Sequence, residues 1–363
     1  MPHATVRDIA REAAVSVATV SRALNGHSNV RPEVREHVEA VASRLGYVPH
    51  AAARHLSSAK SGMIGVVVPD LHGEFFSELL RGMDREASEQ GLYCMMMVMH
   101  GDAARGVAAL HAMRGRVDGL VVMAPQVSAS QLLAHLPRGM PAVLVNCAPG
   151  QSGRTELRID NFAGASALVE HLIATGRRRL VHISGPAGNI DAEERLRGAQ
   201  DACARAGLSL RVLAGDFKEP SGEAAATTLI EEGIAEGIEG GATFDAIFAA
   251  NDMMAIGAMM TLKRAGIAVP DQVAICGFDD IPLTRLISPS LTSASIDIAS
   301  FGASAVARLV KAIAGDDDGG VEQRVPIVMI RESTGPRLSA SSDHNFLNVH
   351  NKKPEQSGTG ELP

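Results

Sequence analysis

The spacing of apolar residues changes character once along this chain, near Met63. Before it, apolar positions recur every three or four residues in short bursts: Val6, Ile9, Ala10 and Ala13, then Val20, Ala23 and Leu24, then Val34, Val38, Val41, Ala42 and Leu45. That is the period of a helix, so three short helices are predicted. Their ends are marked. Thr5 with Asp8 three residues on is a capping-box-like start, Ser16 is a second N-cap, Asn25-Gly26 is a break, and Gly46 is a stop. On the second helix Val20, Ala23 and Leu24 share one face, while Val17, Ala18, Ser21 and Arg22 share the other.

From Met63 the apolar residues run together. MIGVVVPD, LYCMMMVM, DGLVVMA, PAVLVN, ELRID, RRLVHISG, LRVLAGDF, DAIFAAN and VAICGFD read as strands, most of them buried on both faces. Between them lie helical stretches near 77–90, 103–114, 162–175, 192–206, 221–236 and 253–265. Strand and helix in alternation predict a doubly wound parallel α/β core. For two such halves joined by crossing strands, we place the crossings near Asp160, Leu291–Ser295 and Gly320. The expected division is a head over 1–48, a hinge helix and linker over 49–61, and a core over 62–337. Within the core one subdomain takes about 62–160 and 293–320, the other about 161–291 and 321–337. The polar, aperiodic tail 338–363 reads as disordered, without the leucine heptads of a coiled coil.

Composition narrows the class. The 363 residues are 46% hydrophobic with a net charge of −7, which taken whole argues against a nucleic-acid partner. The charge is unevenly spread. Residues 1–60 hold eight Lys/Arg against five Asp/Glu, a balance of +3, which leaves −10 for the rest. A basic head on an acidic body fits a DNA partner for the head alone. Mean hydropathy is +0.08, with no membrane-length apolar run and no signal-peptide pattern, so a cytoplasmic protein is expected. Cys94, Cys147, Cys203 and Cys276 are scattered and form no C-x-x-C, which suits reduced core thiols.

Two short helices and a tight turn, the second helix with a small, polar and basic outer face, suit a DNA reader. Residues 5–25 alone fit an ordinary helix pair equally well. The following segments decide in favour of the reader. T-x-x-D-I-A-x-x-A-x-V-S-x-x-T-V-S-R-x-L-N, then R-x-x-V, L-G-Y-x-P and A-R-x-L, resemble the lactose/galactose-repressor (LacI/GalR) family, and a weaker match continues to about residue 337. The resemblance implies a helix-turn-helix head, a periplasmic-binding-protein-like type I core, a homodimer, a palindromic double-stranded operator as partner, and a small-molecule effector. It implies no cofactor, no metal, no membrane and no catalysis.

Site residues carried over by the resemblance fall in two groups. Thr5, Ser16, Val17, Ala18, Thr19, Ser21, Arg22 and Asn25 would meet DNA, Arg22 as a bidentate partner of guanine, and Val17 with Ala18 against thymine methyls. Pro49 opens a hinge segment of seven or eight residues, too short to be helical alone. There Leu56 would wedge into the minor groove with Ala53 beneath it. His50 stands where the family usually has asparagine, which sets that contact apart. In the core, Phe75, Phe76, Asn146, Asp160, Arg195, Phe217, Asn251 and Asp279 lie at strand ends and would bind the effector. Arg195 rather than Arg197 is chosen because it lies three residues before Gly198. Asp252 is expected to cap the helix it opens. A carbohydrate effector is expected, because paired Asp, Asn and Arg suit vicinal hydroxyls, with a nucleobase or nucleoside corepressor as the alternative. A sugar-transport protein would need a signal peptide and no head. An enzyme would need a phosphate-binding loop, a nucleophile elbow or an H-E-x-x-H, and none occurs.

Overall fold

The computed structural model describes residues 4–24, 29–47, 60–100, 102–127, 134–136, 139–147, 153–235 and 243–335. Asn25, His50, Ala53, Leu56, most of the hinge segment and the tail from 338 lie outside the described residues. The head is three helices, α1 (Val6–Glu12), α2 (Val17–Leu24) and α3 (Pro32–Arg44). Ile9, Ala10, Ala13, Val20, Ala23, Val38, Val41 and Ala42 close its core, and the other positions that the helical spacing selected, Val6, Leu24, Val34 and Leu45, pack half-buried against it. Arg44 adds an ion pair to Glu12 at 2.9 Å, tying α3 to α1.

Two six-stranded sheets make the rest. The first uses β1 (Met63–Val68), β2 (Tyr93–Val98), β3 (Gly119–Met123), β4 (Ala142–Val145), β5 (Glu156–Ile159) and β11 (Val321–Arg324), in the order β11-β5-β4-β3-β1-β2. The second uses β6 (Leu180–Ile183), β7 (Leu210–Leu213), β8 (Ala246–Ala249), β9 (Ala274–Asp279), β10 (Thr292–Ser295) and β12 (Ile327–Met329), in the order β12-β10-β9-β8-β6-β7. All pairings are parallel except β12 with β10. The central strands β3, β4, β6 and β8 are buried along their whole length, which explains their unbroken apolar sequence. Strand order reverses at β1/β3 in one half and at β6/β8 in the other. Ligands of such sheets sit outside the strand C-termini at these switch points.

The helices are α4 (Glu74–Glu89), α5 (Ala103–Met113), α6 (Asn161–Ala174), α7 (Ile190–Arg205), α8 (Glu219–Ala235), α9 (Asp252–Arg264) and α10 (Ile298–Ala314). Several begin one to three residues before the predicted starts; Asn189 and Asn251, for example, cap α7 and α9 at Ile190 and Asp252. α4 and α10 pack closely: a Cβ on Gly82 would lie 1.9 Å from the Ala299 carbonyl oxygen, so only glycine permits that approach.

Two of the expected crossings are displaced. Thr292–Ser295 pairs with β9 and stays in the second sheet, while Val321–Arg324 pairs with β5 in the first. The chain therefore crosses near 160, 296 and 325 rather than within 291–295 and at 320. Short polar strands such as TSAS carry no apolar signature; inter-strand hydrogen bonds decide where they belong.

Candidate functional site: an exposed helix face and an enclosed cleft

The head presents one distinct surface. Thr5 caps α1: its Oγ1 accepts from the Asp8 N–H at 3.4 Å, and its own N–H donates to Asp8 Oδ2 at 3.0 Å. The Thr5 hydroxyl, which donates to Asp8 Oδ2 at 2.6 Å, and then the Thr5 N–H hold the Asp8 carboxyl below its ordinary value. Ala14 takes a left-handed φ of 51° and turns the chain tightly. Ser16 Oγ then accepts from the Thr19 N–H at 3.0 Å and starts α2. With Val20 and Ala23 committed to the core, Val17, Ala18 and Arg22 face outward, and Val17 is 47% exposed. Arg22 Nε donates to the Ala18 carbonyl at 3.2 Å, which lays the guanidinium along that face. Ser21 and Thr19 sit half-buried at its edge, and the Ser16 and Thr19 hydroxyls hydrogen-bond each other at 2.8 Å. A side chain of the size of valine left in water on a basic surface is the arrangement a groove-reading helix requires.

The second site is a cavity of about 200 Å³ at the strand C-termini, between the two halves. At the roughly 30 Å³ that each water takes in the liquid, this has room for about seven waters, a small-molecule volume. Phe75 and Phe76, from the first turn of α4, stand edge to face with ring centroids 5.2 Å apart. Phe217, at a left-handed φ of 69°, supplies a wall from the other half. Asn146 ends β4, and its Oδ1 accepts from the Ile159 N–H at 3.1 Å.

The floor is a buried polar network. Asn189 caps α7 by accepting from the Ala192 N–H at 3.2 Å, which fixes the first turn so that Asp191 and Arg195 project from one face. Arg195 Nε donates to Asn161 Oδ1 at 2.8 Å, Nη1 donates to the Ala250 carbonyl at 2.6 Å, and Nη2 lies 3.1 Å from Asp279 Oδ1. Its flat face rests on the Phe278 ring, 3.7 Å from the centroid. Asp191 accepts from Asn161 Nδ2 at 2.8 Å and, more weakly, from Asn146 Nδ2 at 3.5 Å. Burial pushes the Asp191 carboxyl up to about 6, with Arg195 pulling it partly back. Asp279 is likewise pushed up to about 6 by burial against the pull of Arg195. Its Oδ1 receives no aligned hydrogen bond, for the ion-paired Arg195 N–H does not point at it.

Of the sequence-predicted residues, Phe75, Phe76, Asn146, Arg195, Phe217, Asn251 and Asp279 all line this cavity. Asp160 does not; its Oδ1 accepts from the Ala163 N–H at 2.9 Å and caps α6, because the orphan N–H groups of that buried helix start need an acceptor. Asp252 is not the cap of α9. That role belongs to Asn251, whose extended backbone lets Oδ1 accept from the Met254 N–H at 3.0 Å while Nδ2 donates to the Phe217 carbonyl at 2.8 Å. Asp252 is already helical and wholly buried, accepting from Ser293 Oγ at 2.6 Å and the Ile281 N–H at 2.9 Å. Burial, then the neighbouring Asp279 charge, raises its carboxyl well above the ordinary range. Arg197, the competitor of Arg195, is exposed beside Glu194.

Sequence reasoning missed Asp191 and Asn161. The signal was present for Asp191, which lies four residues before Arg195 on the same helix face. For Asn161 there was none, since only the fold brings it to α7. Besides the Asn146–Asp191 bond, contacts that join the halves around the cavity include His72 Nε2 to Glu219 Oε2 at 2.8 Å, the Leu283 N–H to Glu74 Oε2 at 2.9 Å, and the Ile190 N–H to the Pro125 carbonyl at 3.1 Å. His182, behind the floor, donates Nδ1–H to the Phe248 carbonyl at 2.9 Å, and burial lowers it to about 4, so it is a neutral packing group. Cys147, Cys203 and Cys276 are buried free thiols and Cys94 is half-buried, burial pushing Cys147 up to about 12. Among the described residues no helix is long and apolar enough to cross a membrane.

Residues 5–50 match the family described as bacterial regulatory proteins, lacI family, and residues 169–334 match the periplasmic binding protein-like domain. The catabolite control protein A of Priestia megaterium is 31% identical over 336 residues, 91% of this chain and 99% of that protein. The ribose operon repressor of Halalkalibacterium halodurans is 32% identical over 91% of this chain and 97% of its own. Among solved structures, the lac repressor dimer bound to operator and the anti-inducer ONPF superposes with a TM-score of 0.81 at 26% identity, over 92% of this chain and 100% of that one. The transcriptional regulator CelR in complex with cellobiose gives 0.66 at 27% identity, over 91% of this chain and 99% of that one.

Proposed function

The chain belongs to the lacI family of bacterial regulatory proteins, ligand-responsive DNA-binding regulators rather than enzymes, and from that premise we propose that it represses sugar catabolic or transport genes in the cytoplasm. In this reading a homodimer reads a palindromic operator through Val17, Ala18 and Arg22 of each head. Thr5, Ser16, Thr19 and Ser21 touch the backbone, and Asn25, His50, Ala53 and Leu56 complete the DNA-contacting set. A carbohydrate effector fills the cleft, its hydroxyls donating to Asp279 and Asp191 and accepting from Arg195, Asn146 and Asn251. The phenylalanines pack on its apolar ring faces.

The observation that carries the proposal is the buried Arg195–Asp279–Asn161–Asp191 network on the cavity floor, a fixed set of donors and acceptors between two halves joined by three chain crossings. A ligand held there changes the relative placement of the halves only if it binds the two placements unequally, with a coupling of about 1–3 kcal/mol. A nucleobase corepressor is the second reading, favoured by three phenylalanine rings around one small cavity.

A thermal-shift screen over sugars, sugar phosphates, nucleosides and purines tests the effector. A sugar at about a hundred times its Kd should stabilise the core by about 2.7 kcal/mol. Selective stabilisation by a purine would install the second reading, and silence across the whole screen would overturn the cleft assignment. On operator DNA, a dimer neutralising roughly 6–10 phosphates should lose about 10³–10⁵ in affinity between 50 and 200 mM salt.

A further inference from the structure

We infer that the floor of the cleft excludes anionic ligands, and that Asp191 is the residue that sets this discrimination. The inference rests on reading the cleft as the effector site. Asp191, Arg195 and Asp279 are each less than a tenth exposed, and together they bring two carboxylates and one guanidinium to the floor. Arg195 can balance only one of the two. Its Nη2 faces Asp279 at 3.1 Å, and its Nε and Nη1 are given to the neutral oxygens of Asn161 and Ala250. Asp191 has only neutral amide partners, Asn161 at 2.8 Å and Asn146 at 3.5 Å. Behind them the fully buried Asp252 takes its hydrogen bonds from a hydroxyl and a backbone N–H, so no second cation arrives from that side.

The mouth does not restore the balance. Lys218 is exposed there and lines the cavity, but Asp70 and Asp216 line it as well, so around the whole cavity the acids Asp70, Asp191, Asp216 and Asp279 outnumber the cations Arg195 and Lys218. The imidazole of His72 is engaged with Glu219. The floor therefore carries an excess of one carboxylate, and Asp279 Oδ1 is a buried acceptor without an aligned donor. An O–H or N–H of a ligand satisfies such a floor. A phosphate or carboxylate on the floor would be stripped of water beside Asp191, where the one floor cation, Arg195, is already paired with Asp279. Selectivity then comes as much from what the site repels as from what it attracts.

Full-length protein is melted and titrated at constant ionic strength with inorganic phosphate, and with ribose and glucose each beside its monophosphate. Wild type should show no melting rise with phosphate beyond that with chloride, and each sugar that binds should do so at least tenfold more tightly than its phosphate. In Asp191→Asn, an isosteric change, phosphate should raise the melting temperature, and the sugar-to-phosphate ratio should fall at least fivefold. Should that variant fail to fold, Asp279→Asn carries the same expectation, since it leaves Arg195 unbalanced. A phosphate-dependent rise in wild type, a phosphorylated sugar binding as tightly as its parent, or a variant as unresponsive as wild type would each overturn the inference. The phosphate arm decides even where neither sugar binds, whereas the effector reading itself stands or falls on the wider screen.

Discussion

The head and the cleft solve recognition in opposite ways. The head's outward residues lie within one short stretch, Val17 to Arg22, on a single helix whose other face is already spent on the core. They are exposed and make few contacts, so their identity is almost free of structural cost. The cleft's residues come from loops, helix starts and strand ends between Pro69 and Asp279, and those on its floor are buried and hold one another through a shared network. A long rigid partner such as DNA can be met on a surface. A small ligand has to be enclosed, and enclosure forces charge out of water, so in the cleft binding groups and stability are the same groups. Substitution should therefore separate stability from function in the head and fuse them in the cleft.

The largest expected effect is at Arg195. Arg195→Ala strands Asp279 and Asn161 in a buried site, and breaking such a pair costs about 3–5 kcal/mol. Urea unfolding followed by far-ultraviolet circular dichroism reads this directly. A loss under about 1 kcal/mol would break the contrast.

Next in size is a pH effect of opposite sign in the two regions. Asp191 is pushed up to about 6 from its ordinary 3.8, so between these values the folded core binds more protons than the unfolded chain. Its contribution to stability must then fall as pH rises through that window and stay low above it, by up to about 3 kcal/mol. The stability difference between wild type and Asp191→Asn should show this slope between pH 4 and 6. Asp8 in the head is held low by Thr5, so its contribution is present above the ordinary carboxylate range and is lost as pH falls. A flat difference for Asp191→Asn would mean that this carboxyl is solvated in the folded protein.

The smallest effect on stability, and the sharpest on function, is expected for Arg22→Ala. Nothing buried depends on it, so the melting free energy should move by less than about 0.5 kcal/mol. Discrimination at one base pair of the operator should fall by about 1–3 kcal/mol, visible as a lost guanine in a binding-site selection. An unchanged selection would remove Arg22 from base reading.

Legibility in the sequence follows the same division. In the head, Thr5 with Asp8, Ser16, and the alternation of Val20, Ala23 and Leu24 with Val17, Ala18 and Arg22 are local facts. A helix places residues three and four apart on one face whatever surrounds it, so caps, faces and core could all be read along the chain. The strands were legible because burial on both faces leaves unbroken apolar runs, and the strand-end residues Asn146, Asn251 and Asp279 because such ends point into a crevice. The tertiary structure alone decided that Thr292–Ser295 joins one sheet and Val321–Arg324 the other, that Asp160 caps a helix, and that Asn251 rather than Asp252 caps the next. It alone brought Asn161 between Asp191 and Arg195. Polar side chains carry no period of their own. Their roles are fixed by which unpaired donor or charge the fold sets beside them, and that partner can lie anywhere in the chain.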